Sequence, residues 1–208
     1  MKLKKKFRIL LLIILIVALA VCGFLAYKQM GDKKQVKEAK VVGEIKGYGY
    51  KLKDNKPAAY KKMFEELKEI LEADKVDEEA YAKKISEMFV YDFYSLKDKI
   101  SKTDIGGVDF VHPDVLGNFL ENAQDTYYKY VENNIYNNRK QSLPVVSNIE
   151  VGEVKQETFE YGDKSDEKAY IIDVTWSYTD SNFSDYQKEA KLIFVHDDKK
   201  LDLVELQK

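Results

Sequence analysis

Residues 170–178 read YIIDVTWSY, and the alternation within them decides the fold. Tyr170, Ile172, Val174, Trp176 and Tyr178 fall on one side, and Ile171, Asp173, Thr175 and Ser177 on the other, as in a strand with one buried face. Downstream, Gln187 to His196 repeats the period with Ala190, Leu192 and Phe194, turns at Asp197-Asp198, and returns as a last strand from Leu201 to Leu206. Upstream, Val145 to Tyr161 is a long strand whose apolar phase slips near Gly152, which predicts a bulge and a bent sheet.

Before the strands the period is that of helices. Pro57 starts the first, whose inner stripe is Tyr60, Met63, Phe64, Leu67, Ile70 and Leu71. Asp77 caps a second, with Tyr81, Ile85, Met88, Phe89, Phe93 and Leu96 inward. A third begins at Pro113 and carries Leu116, Phe119, Leu120, Ala123, Tyr127, Tyr130 and Val131 inward. Ser101 to Gly107 reads as a loop, Val108 to Val111 as a short strand, and Ile45 to Lys53 as a strand or extended lead-in.

The expected class is therefore α+β: three helices packed on a bent antiparallel sheet, cone-shaped, over residues 45–208. This order of elements resembles the nuclear-transport-factor-two-like (cystatin-like) cone fold. With an apolar segment in front, the architecture is similar to VirB-type assembly factors of bacterial type IV secretion and to TcpC-like conjugation proteins. That resemblance implies an assembly or interaction role in the cell envelope.

The apolar segment runs from Ile9 to Ala26, ILLLIILIVALAVCGFLA, without a charge. Eighteen helical residues would rise roughly 27 Å, close to a hydrocarbon core, so residues 9–27 are expected to be a transmembrane helix contacting the lipid bilayer. Lys2, Lys4, Lys5, Lys6 and Arg8 precede it, making residues 1–8 a basic cytoplasmic tip. Residues 28–44 then read as a charged stalk, and the domain is expected to be extracellular. Two other readings of the segment are a cleaved signal ending at Ala18-Leu19-Ala20 and a lipoprotein attached through Cys22.

Beyond the tip, 29 basic residues face 36 acidic ones, so a nucleic-acid partner is not expected. One Cys excludes an internal disulfide, and two His with one Cys leave little for a metal; no cofactor is expected. The 15 Tyr and 10 Phe supply a real core and exclude a disordered chain.

Asp92 is the residue with the most chemistry, because helical spacing sets it on the apolar arc between Tyr81 and Ile85. A buried acid is either a general base, as in dehydratase or isomerase enzymes that this fold resembles, or an acceptor held by tyrosine hydroxyls or backbone donors. Phe89, Phe93, Trp176 and Tyr178 are the candidate pocket lining around it. His112 reads as a helix cap, His196 as a turn residue, and Asp104-Ile105-Gly106-Gly107 as a bend without the Lys-Ser/Thr of a phosphate loop. With no catalytic motif, the expectation is a non-enzymatic interaction module with protein partners or self-association. A small-ligand pocket is the alternative, and an enzyme using Asp92 comes behind it.

Overall fold

The computed structural model describes residues 14–24 and 36–208. The chain is α+β, with four helices and two sheets among the described residues. The described residues up to Lys37, together with Ile135–Asn138, form one compact unit; Glu38–Asn134 with Arg139–Lys208 form the other.

The first unit contains α1, residues 14–24, whose large apolar side chains are exposed. The membrane-spanning helix expected over 9–27 is corrected here: among the described residues, no helix is long and apolar enough to cross a membrane. Residues 1–13 and 25–35 lie outside the described residues, and with them the basic tip, both ends of the expected span and residues 28–35 of the stalk. The orientation, the extracellular placing and the bilayer contact all rested on that helix.

In the second unit, β1 (Val41–Ile45) pairs antiparallel with β2 (Tyr50–Lys53), so a strand occupies the end of the segment read as a stalk. The helices follow from their signals. Pro57 stands at the N-cap of α2 (Ala58–Leu71), which buries Tyr60, Phe64, Leu67 and Leu71. Asp77 caps α3 (Glu78–Tyr94) by accepting from the Ala80 amide, with Glu78 and Glu79 in the first turn where the helix dipole favours them. α4 (Pro113–Asp125) is shorter than its apolar stripe suggested: it stops at Asp125, and Tyr130 is 77% exposed. Val108–Phe110 is a 3-10 turn, not a strand, and only Val111 bridges to Leu203.

The main sheet has the order β3-β4-β5-β6, all antiparallel, from β3 (Val146–Tyr161), β4 (Lys164–Tyr178), β5 (Glu189–Asp197) and β6 (Lys200–Gln207). The β3–β4 register shifts between Val151 and Val154, bracketing Gly152, where an added Cβ would meet the Asp173 carbonyl at 2.9 Å. The inner face of the sheet packs Ile172, Val174, Leu192, Phe194 and Leu203 against the helices. A second, smaller cluster joins Ala169, Ile193 and Val195 with Phe159, Tyr161, Ile171 and Val204, so the outer face is partly dry as well.

Candidate functional site

α3 delivers Asp92 into the core, where it is 6% exposed. Lys99 Nζ lies 2.7 Å from its Oδ1, Lys56 Nζ reaches the same oxygen at 2.6 Å, and the Gly107 amide donates to Oδ2 at 2.8 Å. Burial works against the charge, but Lys99 and Lys56 outweigh it and hold the carboxyl well below the usual carboxylate range. Lys99 is held above its ordinary range: burial opposes its charge, and Asp92 and Asp98 overcome that. The Gly106-Gly107 bend belongs to the same construction. An added Cβ at Gly106 would fall 2.0 Å from the Asp92 carbonyl oxygen, and Gly107 has φ +74° with the Phe89 ring 2.7 Å from where its Cβ would stand. Tyr128 completes it, accepting from the Gly106 amide and donating to the Phe93 carbonyl at 2.6 Å.

Of the other sequence candidates, Phe89 and Phe93 border the same bend, and Trp176 and Tyr178 lie against Tyr94 and Tyr127. Phe89 is fully buried and stacks on Phe93 with 5.4 Å between ring centroids. Trp176 is buried with its ring 4.3 Å from that of Tyr94. Tyr178 donates to the Gln187 carbonyl at 2.6 Å and meets the Tyr127 hydroxyl at 3.1 Å. Of the five, Phe93 lines a cleft.

That cleft, of about 500 Å³, lies between α4 and the segment before β5. Phe93, Tyr94, Phe119, Tyr127 and Tyr186 give it aromatic walls, and Asn122 and Gln187 give it polar points. Burial keeps the hydroxyls of Tyr94 and Tyr127 well above their ordinary pKa, so they remain neutral donors. A groove of about 350 Å³ continues from it, sharing Phe119, Asn122 and Leu206, along the space between α4 and β6. The groove exists because α4 stands off the sheet: of its thirteen residues only Ala123 is fully buried. Sequence reasoning named Phe119 as core and missed Asn122, Tyr186 and Gln187, since a loop residue such as Tyr186 carries no periodic signal.

His112 caps α4, its Nδ1 accepting from the Asp114 amide at 3.1 Å. His196 Nδ1 lies 2.7 Å from Asp166 Oδ2 in β4, a cross-strand partner and not one of the neighbouring aspartates. Among the described residues no group of three or more His, Cys, Asp or Glu side chains is placed to hold a metal. No family model, curated protein or solved structure matches this chain.

Proposed function

We propose that the second unit is a non-enzymatic module that binds another polypeptide along the open face between α4 and β6. The observation that carries this reading is the under-buried helix: Val115, Leu116, Phe119 and Leu120 are only half-buried, beside an open groove that runs into an aromatic cleft. Surface apolar grooves of this kind mark interaction sites. The saturation of Asp92 supports the non-enzymatic part, because both its oxygens are already engaged and a general base needs one free to meet substrate. The order of three helices before an antiparallel sheet supports the nuclear-transport-factor-two-like scaffold as its frame.

A photo-crosslinking residue placed at Asn122, compared with one at the exposed Lys62 on α2, tests the reading in cells making the full chain. A defined polypeptide adduct at 122 and none at 62 is expected. Equal adducts at both positions, or none at 122, would sink it.

A second reading is a small apolar ligand in the cleft, favoured by a volume within the roughly 300–1,000 Å³ of ligand sites and by its five aromatic walls. Native mass spectrometry of the purified protein separates the two, since a retained mass of a few hundred daltons belongs only to this one.

A further inference from the structure

β6 is an edge strand. It pairs with β5 on one side, and on the other the single bridge from Val111 to Leu203 is the only pairing among the described residues. The start of that free edge is capped: the Leu201 amide donates to the Tyr81 hydroxyl at 3.1 Å, and the Leu203 carbonyl accepts from the His112 amide at 2.9 Å. Beyond Leu203 the chain at Val111 turns away into α4, and the groove opens there. Its lining takes Leu203 and Leu206 from one face of the sheet and Val204 from the other, so it gives access to the strand's edge and not merely to one face. An exposed edge is a template for a further strand.

Charge tells what kind of strand. α4 carries Asp114, Glu121 and Asp125 and no base. Asp114 is already paired with Lys164, whereas Glu121, Asp125 and the cleft's Asp185 form no ion pair among the described residues. Glu205 sits on the edge strand itself, in the groove. A second copy of β6 would bring a like charge, its own Glu205, to that edge. A partner with Lys or Arg between apolar residues meets no such repulsion.

We propose, resting on the interaction reading above, that the β6 edge past Leu203 takes up an extended apolar peptide carrying basic residues, added as a fifth strand under α4. From Val115 to Asp125 α4 rises roughly 15 Å, room for about four or five extended residues. The apolar side chains of the peptide enter the groove against Phe119 and Leu206; its bases alternate to the other face of the sheet, on the side of the exposed Glu205.

The probe is a capped fluorescent heptapeptide, Lys-Val-Lys-Leu-Lys-Val-Lys, titrated against the full chain by anisotropy, up to about millimolar peptide. Two N-methylated forms, one blocked at the Val/Leu amides and one at the Lys amides, remove the hydrogen-bonding groups of one edge each. Binding of the parent, retained by only one methylated form, is expected, with hydrogen-exchange protection appearing at residues 204–207. The glutamate counterpart of the peptide should not bind. The exposed variant Glu205→Lys should weaken binding about tenfold or more with the fold unchanged by circular dichroism. Equal binding of both methylated forms, equal binding of the acidic peptide, or no effect of the charge reversal overturns the proposal. A polypeptide crosslinked at Asn122 with no peptide binding overturns strand addition alone and leaves the interaction reading standing; absence of both overturns both.

Discussion

Asp92 and Lys99, seven positions apart across the end of α3, meet at 2.7 Å with side chains only 7% and 4% exposed. Lys56 shares the same carboxylate oxygen, so two ammonium groups lean on one acid inside the core. Removing that acid takes the carboxylate from Lys56 and leaves Lys99 with Asp98 Oδ1, 3.5 Å away. Asp92→Asn should therefore destabilise by about 3 kcal/mol or more, which in a chain of this length lowers the melting temperature by roughly 10 °C. Pairing Asp92→Leu with Lys99→Met should cost less than Asp92→Leu alone, because the buried ammonium goes with the acid and Lys56, 17% exposed, can turn to water. Thermal melts of the four proteins check this; a loss under about 1 kcal/mol for Asp92→Asn would show the pair to be dispensable.

The same site sets an acid limit. Asp92 is held below the usual carboxylate range when folded and titrates near 3.9 when unfolded, so the folded state binds fewer protons. Its contribution is complete above about pH 5 and is lost as the pH falls below about 4. The gap between wild type and Asp92→Asn in urea unfolding should consequently narrow from pH 7 to pH 3. A gap that stays constant over that range would mean that the carboxylate is not charged through the pair.

Gly106 and Gly107 should tolerate nothing larger. At Gly106 the obstacle is backbone, the Asp92 carbonyl, and cannot swing aside; at Gly107 the positive φ adds strain to a clash with Phe89. Each change to Ala should cost about 2 kcal/mol or more. Gly117, with nothing within 4 Å of its added Cβ and a place inside α4, is the control: Gly117→Ala should stabilise by roughly 0.5–1 kcal/mol. Equal effects at the three positions in denaturant melts would refute the steric account.

Much of this was legible beforehand, for identifiable reasons. The period-two run at 170–178 and the three-four stripe of α3 mark burial directly, and Pro57, Asp77 and His112 each stand where a helix starts. The position of Asp92 inside the core followed from helical angle, but its partners did not. The sequence carries the second helix on to near Ile100, whereas α3 ends at Tyr94; Lys99 lies beyond it, and only the return of the chain at Gly106-Gly107 closes over it. The membrane helix was read from hydropathy alone, and among the described residues no helix is long and apolar enough to cross a membrane. The cleft was illegible because Tyr186 and Gln187 come from an aperiodic loop brought opposite α4 by the β4–β5 pairing.

The tyrosine pair at the capped end of β6 gives a graded test. Tyr81 accepts from the Leu201 amide at 3.1 Å and meets Tyr50 at 2.7 Å, while Tyr50 reaches the Leu201 carbonyl only at 3.4 Å. Tyr81→Phe strands a buried amide and should cost about 1–3 kcal/mol; Tyr50→Phe should cost about 1 kcal/mol or less. Amide exchange at Leu201 should rise in the first variant and hardly change in the second. The reverse order would place the edge cap on Tyr50.

Asp202 should behave oppositely to Asp92. It is 1% exposed, and although Lys200 Nζ lies 2.7 Å from its Oδ1, that oxygen has no partner in hydrogen-bonding geometry. Burial is the largest influence and raises its pKa above the ordinary carboxylate value. An acid raised in the folded state binds more protons there than in the unfolded chain, so its charge costs stability as the pH climbs from the unfolded pKa through the folded one. Asp202→Asn keeps the shape and removes that cost. Lys200 is left its reach to the Asp109 carbonyl at 3.1 Å and its partial exposure to water, so the loss of its ion pair is small. The variant should gain about 1 kcal/mol at pH 7, with the gain fading below about pH 4, where the carboxyl is protonated in both states. Urea unfolding of both proteins at pH 7 and pH 3.5 measures it, and a loss of stability at pH 7 would mean that the Lys200 pair outweighs the burial of the charge.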